Sequence, residues 1–464
     1  MASTLMSATQ WAAQEFDGAQ LGDRRRNPRL VQVAAALAED PHGTLPGSFS
    51  GWAQTKAAYR LLEEPDVTYD RILQPHCQRV QDACGQPGEY LLVQDTSSLD
   101  FTSHLAARDL GRIGNDGGRG VHVHTTLALT VERWNAQQEP EVTVLGVFDQ
   151  RWWARTGPPQ GKKEKKADRL ARARESQRWA AVIEQVSPPS DARWTSVSDR
   201  ESDIYETLLA CRERQWHYII RANQPRALAD QHGSVLTAVR QSPELGRFSV
   251  DLRARPGQSA RRAKLVVRGC AVRLRGPWRP QGSLPTLPTN VVEAREIDPP
   301  PGVEPIHWVL LTDWPCQDLA QAMRVVKAYT RRWLIEEYHK ALKSGTGIEQ
   351  SQLATAQRLT ALLAILAVVA ARLLNLKLLA TTCPALPVSL EEVGPEALAI
   401  LQARYGQPSA GWTYGSLLVA IARLGGFLAR KSDGSPGWRT IWRGWQKLML
   451  LVQGYDLAGG QRCG

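Results

Sequence analysis

Residues 194–222 read WTSVSDRESDIYETLLACRERQWHYIIRA, and this stretch decides the fold class. Its apolar runs WTSVSD and WHYIIRA predict two β-strands, and SDIYETLLACRER between them has the spacing of a short helix. Three further strand candidates precede it, in EYLLVQDTS (89–97), HVHTTLALTV (122–131) and EVTVLGVFD (141–149). Strands and helices in this order predict a mixed α/β sheet with helices on its faces.

Helical patterns flank the predicted sheet. LVQVAAALAED (30–40) and WAQTKAAYRLLEE (52–64) have helical spacing, and a long charged helix is predicted from about 164 to 185. Short basic β segments separated by Pro and Gly then indicate an all-β insertion. The predicted segments are a helical N-terminal domain 1–75, the first part of a core 76–222, the insertion 223–305, the second part of the core 306–380 and a helical C-terminal domain 381–464.

The charge balance indicates a polyanionic partner. The chain has 57 Lys and Arg against 46 Asp and Glu, a net charge of +11, and a pI near 9.4. This balance fits nucleic acid or an acidic membrane. No secretory signal is apparent, and the longest apolar run, LTALLAILAVVAA (359–371), is too short to span a bilayer. We therefore expect a buried helix in a cytoplasmic protein that binds no membrane.

Cysteine spacing indicates neither a disulfide framework nor a zinc site. The seven cysteines are an odd number and form no CxxC pair. GNDGGRG (114–120) is rich in glycine but lacks the GK[ST] ending of a phosphate-binding loop. His122 and His124 are two imidazoles on one strand face. Because no third ligand stands beside them, we interpret them as structural or DNA-contacting residues and not as a metal pair.

Two predicted strands end in an aspartate, Asp95 in YLLVQD and Asp199 in WTSVSD. Each alone is typical of a turn or helix cap. With Glu336 as a third member they form a candidate carboxylate cluster, whose mutual repulsion a cation would relieve. Mg²⁺ prefers such oxygen ligands, and two metal ions about 4 Å apart suit phosphodiester chemistry. A glycosidase-like acid–base pair is the alternative, but the positive net charge favours a phosphate substrate.

Glu336 lies in YTRRWLIEEYHKALKSG (329–345), which we predict to be one helix. At 100° per residue the polar side chains share one narrow stripe opposite an apolar face. The stripe consists of Tyr329, Arg332, Glu336, Lys340 and Lys343, and the apolar face of Leu334, Ile335, Tyr338, Ala341 and Leu342. A solvated face with ion pairs from Glu336 to Arg332 and Lys340 is the ordinary interpretation.

This stretch resembles the YREK signature, Tyr-x2-Arg-x3-Glu-x6-Lys, of the bacterial insertion-sequence DDE transposases that cut and paste DNA. It matches at Tyr329, Arg332, Glu336 and Lys343. Similar motifs follow one another in the family's order over nearly the whole chain, namely LGDRR, AAYRLL, QDTSSL, SDRESDIYE, IIRANQPR and AIARLGGF.

The resemblance implies an RNase H-like core with a β insertion before the catalytic glutamate. It implies that Asp95, Asp199 and Glu336 are catalytic and bind Mg²⁺, with Mn²⁺ as a possible substitute. The implied reaction is cleavage of the transposon ends, through a hairpin intermediate, and joining of the 3′ hydroxyls to target DNA. The implied partners are double-stranded DNA, as inverted-repeat ends and as target, and a second copy of the chain in a synaptic homodimer.

The resemblance also implies which residues contact DNA. They are Tyr329, Arg332, Lys343, Lys340, Arg221, Trp308, Arg60, Arg24 and Arg25. Trp308 in IHWVLLTD would stack on a flipped base, although a core tryptophan is an equal alternative. The basic patch of Arg24, Arg25, Arg26 and Arg29 would recognise the transposon end or contact phosphates non-specifically.

Two alternatives remain at this stage. The Trp438, Trp442 and Trp445 stripe has the spacing of a core helix, or belongs to the dimer contact that the resemblance implies. For the whole chain, the alternative to a transposase is a catalytically silent, transposase-derived DNA-binding regulator. The intact set of three carboxylates favours the enzyme.

Overall fold

The structure is a computed structural model that describes residues 7–49, 51–114, 117–155, 175–230, 232–252, 259–280, 282–388, 393–409, 411–430 and 433–460. Its N-terminal region is helical, as the sequence predicts. The helices are α1 Ala8–Phe16, α2 Arg26–Glu39, α3 Trp52–Glu63 and α4 Tyr69–Cys84. Ser7 and Thr68 begin α1 and α4 by accepting hydrogen bonds from backbone N–H groups of the first turn. The boundary predicted after residue 75 falls inside α4, which packs against the sheet.

A ten-stranded mixed sheet is the centre of the fold. Its strands are β1 Gly88–Asp100, β2 Gly111–Ile113, β3 Gly118–Trp134, β4 Pro140–Trp153, β5 Ala192–Ser198, β6 His217–Arg221, β7 Glu244–Leu252, β8 Arg261–Leu274, β11 Leu287–Ile297 and β12 His307–Thr312. Two short strands, β9 Trp278–Arg279 and β10 Gly282–Ser283, form a separate hairpin.

Five of these strands form the RNase H-like core, in the order β4-β3-β1-β5-β6. The first three in sequence, β1, β3 and β4, pair antiparallel, whereas β5 and β6 run parallel to β1. Leu91, Leu92 and Val93 in β1 are fully buried. A run that is buried on both faces is typical of a central strand covered by helices, so the mixed α/β prediction is confirmed.

The insertion is rich in strands and extends the same sheet. Beyond β6 the order continues β12-β11-β8-β7, so the inserted strands form one edge of the sheet rather than a separate barrel. The insertion also contains a helix, α7 Val235–Gln241, which the strand pattern did not predict. Ser234 caps the N-terminus of α7, and the helix buries its own residues Val235 and Val239.

The predicted charged helix around 164–185 lies partly outside the described residues, which resume at 175. Residues 175–177 form a 3₁₀ turn and Arg178–Ala181 forms the short helix α5, followed by turns to residue 185. The described part is therefore much shorter than one continuous helix. α6 Tyr205–Glu213 then joins β5 to β6, as expected.

The remaining helices follow β12. They are α8 Leu319–Thr330, α9 Trp333–Lys340, α10 Ala356–Thr382, α11 Pro395–Tyr405, α12 Tyr414–Leu424 and α13 Trp438–Gly460. α10 contains the long apolar run and has the length and composition to cross a membrane, but 78% of its most apolar window is buried inside the protein. It is a buried core helix, as the sequence predicts, but the helix is longer than the apolar run alone, so the expectation that it is too short to span a bilayer was wrong. The six cysteines within the described residues are free thiols.

Candidate active site

Asp95 and Asp199 lie on neighbouring parallel strands. The β1–β5 pairing ends with Val93 opposite Val197, and each aspartate is two residues further along its strand. Because adjacent strands lie about 4.8 Å apart, this register brings the two carboxylates level with each other. Asp199 follows the end of β5, as predicted. Asp95 does not end its strand, because β1 continues to Asp100 in its pairing with β3.

The electrostatics of Asp199 reflect this proximity. Burial raises the pKa of Asp199, and the negative charge of Asp95 raises it further. The Arg332 and Arg221 guanidiniums oppose the rise. The Asp199 carboxylate also accepts a hydrogen bond of 2.9 Å from the backbone N–H of Glu201. A half-buried carboxylate close to a second one is an environment that a cation would stabilise.

Glu336 lies on α9, which is short and is not continuous with the preceding helix. α8 ends at Thr330, Arg331 and Arg332 form a turn, and α9 runs from Trp333 to Lys340. A π-helical turn, Ala341–Gly345, follows. The prediction of one helix over 329–345 is therefore wrong.

The break changes the predicted polar stripe. Tyr329 belongs to α8 and is only 5% exposed, so it is part of the packed interior and not of a solvated face. Arg332 forms the expected ion pair with Glu336, at 2.5 Å, but Lys340 pairs with Glu337 at 2.9 Å instead of Glu336. The apolar face is confirmed in outline, since Ile335, Tyr338, Ala341 and Leu342 are buried and Leu334 is partly buried.

α9 packs against β1 beside Asp95. His339 Nδ1 lies 3.7 Å from Asp95 Oδ2, and the His339 side chain is buried. Glu336 is three residues before His339 and so projects from the same side of α9. Burial acts to lower the pKa of Arg332, but the neighbouring Tyr329 and Glu336 raise it overall. Arg332 thus stays charged and forms its ion pair with Glu336.

These residues fit divalent cations by their donor type, since three carboxylates supply the oxygen ligands that Mg²⁺ prefers. Within the described ranges, no three His, Cys, Asp or Glu side chains are already close enough to hold one ion. The Glu336 carboxylate is occupied by Arg332.

Tyr329, Arg221 and Trp308 form a cluster beside the carboxylates. Burial raises the pKa of Tyr329, so its hydroxyl stays neutral, although the positive charges of Arg332 and Arg221 act against the rise. Arg221 also donates to the His307 carbonyl at 2.9 Å. The Trp308 ring lies 5.8 Å from the Tyr329 ring, edge to face, and is only partly buried. Trp308 therefore borders the site and is not enclosed in the core.

The predicted lysine contacts differ in their surroundings. Lys340 is exposed, pairs with Glu337 and lies 5.1 Å from the centre of the Trp333 ring. Lys343 lies in the π-helical turn, near Asp100 at the C-terminal end of β1. Hydrogen bonds from Thr102 lower the pKa of Asp100, and the positive charge of Lys343 lowers it further.

The N-terminal basic patch divides into structural and exposed arginines. Arg26 forms ion pairs with Glu64 and Asp66 and donates to the Leu21 carbonyl, so it fixes the fold of the helical region. Arg25 is exposed and pairs with Asp23 at 2.8 Å. Arg24 and Arg60 are also exposed.

His122 and His124 are structural. His124 is 1% exposed, and burial lowers its pKa to about 3. Its ring nitrogens hydrogen-bond with Thr96 and Gln94. His122 stacks on Trp153 with ring centroids 5.2 Å apart.

The tryptophan stripe on α13 faces inward. Trp438 and Trp442 are buried, and Trp445 donates its indole N–H to the Glu39 carbonyl at 2.9 Å. Trp438 and Trp442 therefore pack within this chain, as the core interpretation of the stripe predicts.

The sequence interpretation missed His339 and Glu337. The i,i+3 spacing of Glu336 and His339 was a usable signal for the contact with Asp95. Glu337 had no comparable signal, because its partners Lys377 and Trp438 are distant in sequence.

The architecture now defines a class of protein: an RNase H-like sheet, with helical regions before and after it and a β insertion ahead of the glutamate-bearing helix, is the arrangement of DDE transposases. Three family models match the chain: transposase DNA-binding over 8–67, transposase DDE domain over 170–372, and transposase Tn5 dimerisation domain over 368–461. Together they cover most of the chain in this order. The chain belongs to the DDE transposases.

The DDE-domain match includes Asp199 and Glu336, whereas Asp95 lies outside it. Among solved structures, the chain is similar to a piggyBac transposase synaptic complex with hairpin DNA, determined by cryo-EM. The identity is 10%, the match covers 92% of this chain and 70% of that one, and the TM-score is 0.33. Such a low TM-score does not establish a shared fold by itself.

Proposed function

We propose that this DNA transposase moves DNA by cutting and pasting, with Asp95, Asp199 and Glu336 as its catalytic, metal-binding residues. It would cleave transposon ends and join the freed 3′ hydroxyls to target DNA. The parallel register that brings Asp95 level with Asp199 carries this proposal. The packing of α9 against β1 through His339 and Asp95 supports the assignment of Glu336 to the same site.

The three carboxylates would hold Mg²⁺, for which Mn²⁺ could substitute. When bound, the ions activate the attacking oxygen and stabilise the leaving oxygen of the phosphodiester. Arg332, which forms an ion pair with Glu336, would contact an incoming phosphate, because a guanidinium offers two parallel donors.

The remaining contacts would position the DNA around the carboxylates. Tyr329 and Arg221, whose charges and dipoles act on each other beside Arg332, would bind the phosphate of the scissile end. Lys343, and to a lesser degree Lys340, would bind the backbone further along, and Trp308 would stack on an unpaired base of a hairpin intermediate. The exposed Arg24, Arg25 and Arg60 would contact the transposon end away from the cleavage site.

The whole chain would work as a homodimer that holds two inverted-repeat ends and then captures target DNA. The domain division at 1–75, 76–222, 223–305, 306–380 and 381–464 remains our proposal for which segments bind DNA, catalyse and dimerise. Since a transposase acts on DNA inside the cell, the chain is a cytoplasmic, DNA-associated protein. We propose a bacterial host with association to the nucleoid.

A strand-transfer assay tests this function. A linear duplex that ends in the inverted repeat flanking the gene is incubated with the protein, a supercoiled target plasmid and Mg²⁺. The proposal expects duplex joined covalently to the plasmid, and none with EDTA. The silent-regulator alternative expects a stable complex with the duplex but no joined product at any metal concentration.

A further inference from the structure

Residues 333–345, which we name the catalytic segment, need support from the rest of the molecule. The segment contains α9 and the π-helical turn, and carries Glu336 and Lys343. α9 has eight residues, and the turn at Arg331 and Arg332 separates it from α8. A helix this short is unstable alone, because the cost of nucleation is not recovered over so few hydrogen bonds. Its orientation must therefore come from tertiary contacts.

Glu337, the neighbour of Glu336, accepts hydrogen bonds from three elements. Its carboxylate binds Lys340 Nζ of the same helix at 2.9 Å, Lys377 Nζ of α10 at 2.6 Å and the Trp438 indole N–H of α13 at 2.7 Å. Through its contacts with Lys377 and Trp438, Glu337 joins α9 to the C-terminal region.

A second contact joins the same C-terminal helix to the π-helical turn. A Cβ atom added at Gly345 would lie 2.3 Å from Cζ2 of Trp442, so the indole ring sits directly on the glycine backbone. The Trp442 and Trp438 rings stack on each other, with centroids 5.0 Å apart and 10° between their planes. We name this pair the tryptophan clamp. Trp438 contacts α9 through Glu337, and Trp442 contacts the π-helical turn at Gly345, so the clamp touches both parts of the catalytic segment.

We infer that the tryptophan clamp positions Glu336 for DNA cleavage, with Glu337 and Trp438 as positioning residues, an inference that rests on the proposed function. Consecutive residues project 100° apart around a helix. Fixing Glu337 on α10 and α13 therefore fixes the rotation of α9, and with it the direction of Glu336. α13 lies in the segment matched by the dimerisation-domain model, so this region would act on the active site of its own chain as well.

The simpler alternative is that the Trp438–Glu337 bond only stabilises the fold. A matched pair of variants separates the two. Trp438→Phe keeps an aromatic ring for stacking but loses the N–H donor to Glu337. Trp445→Phe loses an equivalent indole hydrogen bond of the same helix, directed at the Glu39 carbonyl of α2 and not at the catalytic segment. Because Trp438 donates to a carboxylate and Trp445 to a neutral carbonyl, the free energy of unfolding in urea is measured for both variants, so that a global loss of stability is told apart from a local one.

The first measurement needs neither DNA nor metal. Hydrogen–deuterium exchange, read by mass spectrometry on peptides covering 333–345, reports the local opening of the catalytic segment. The inference expects about tenfold faster exchange in Trp438→Phe than in wild type, and wild-type exchange in Trp445→Phe. Equal exchange rates of these peptides in the two variants would refute the inference that Trp438 positions the catalytic segment.

The second measurement compares binding with chemistry. Trp438→Phe is expected to cleave a radiolabelled inverted-repeat duplex about tenfold more slowly than wild type in single turnover with Mg²⁺. Its affinity for the same duplex in EDTA and its dimer content should match those of Trp445→Phe. Cleavage by Trp438→Phe at the rate of Trp445→Phe would refute the positioning role. If the wild type itself does not cleave, the proposed function fails, while the exchange result still tests the clamp.

Discussion

At the scale of single residues, Asp199 illustrates how a catalytic arrangement can oppose stability. Burial and the nearby Asp95 raise its pKa, so the ionised carboxylate is less favourable in the folded protein than in the unfolded chain. This penalty is fully present at neutral pH and is relieved as the pH falls below the raised pKa. Active sites commonly retain such costs because function requires them.

We therefore predict that Asp199→Asn stabilises the metal-free protein at pH 7. The amide removes the repulsion from Asp95 and can still accept the hydrogen bond from the Glu201 N–H. The free energy of unfolding in urea with EDTA should be unchanged or higher by up to about 1 kcal/mol. Mg²⁺ should raise the melting temperature of the wild type and not of the variant. A large loss of stability in EDTA would show that Asp199 is mainly a structural cap.

Trp308 lies at the edge of the site against Tyr329, and we expect it to act on the hairpin step. Trp308→Ala should preserve first-strand nicking and reduce hairpin formation, since stacking offsets a cost of roughly a few kcal/mol for unstacking a base. Denaturing gels of end-labelled duplex resolve the two products. Equal loss of both products, with a lower melting temperature, would instead indicate a core tryptophan.

Lys343 provides a test of the phosphate contacts. Lys343→Ala should weaken binding to the inverted-repeat duplex and reduce the magnitude of the salt slope by about one unit, because one fewer phosphate is neutralised. Lys447→Ala removes the same charge from an exposed position on α13 and serves as the control. Identical slopes for the two variants would rule out a specific contact by Lys343.

At the scale of elements, the sequence predicted strands well because buried runs such as Leu91, Leu92 and Val93 are distinctive. It could not reveal that β1 continues past Asp95 to Asp100, since the polar residues there are held by pairing with a distant strand, β3. α7 was missed for a related reason. Its seven residues form only about two turns, and their apolar spacing, such as the i,i+4 pair Val235 and Val239, is a weak signal among strands.

The catalytic segment also depends on contacts that local sequence patterns do not reveal. Local spacing predicted the buried face of α9 at Ile335 and Tyr338. The turn at Arg331 and Arg332 contains neither Gly nor Pro, so nothing local predicted the break that buries Tyr329. The match to the YREK signature rests on sequence spacing alone, so it does not depend on the single-helix geometry, which was wrong. Their placement depends on β1, α10 and α13, which are remote in sequence.

Gly345→Ala distinguishes local from tertiary effects within this segment. Helix propensity favours Ala over Gly by about 1 kcal/mol. Here the new Cβ would lie 2.3 Å from Trp442, and such overpacking typically costs about 1–3 kcal/mol. We therefore expect a lower melting temperature. In Gly454→Ala, where the new Cβ meets nothing within 4 Å, we expect an equal or higher one. A stabilised Gly345→Ala would contradict the close packing of the tryptophan clamp.

At the scale of the whole molecule, one sheet contains strands of the predicted core and strands of the predicted insertion. The inserted strands continue the core sheet through β12, and α4 and α10 join the helical regions to it. Recognition of the family depended on motifs distributed over the chain, and three family models match the regions of all these motifs except QDTSSL around Asp95. The net charge of +11 indicated a polyanion without specifying DNA.

The central claim is that Asp95, Asp199 and Glu336 together support metal-dependent cleavage of DNA. The most direct test is single-turnover cleavage of an inverted-repeat duplex with Mg²⁺ by Asp95→Asn, Asp199→Asn and Glu336→Gln, alongside duplex affinity in EDTA. Asp313→Asn is the control, because Asp313 also follows a strand of the sheet but bonds to His217 and Tyr218 away from the site. We predict that each of the three variants loses at least about a thousandfold in rate and binds the duplex nearly as the wild type does, while Asp313→Asn cleaves. Wild-type cleavage by any one of the three would contradict the account.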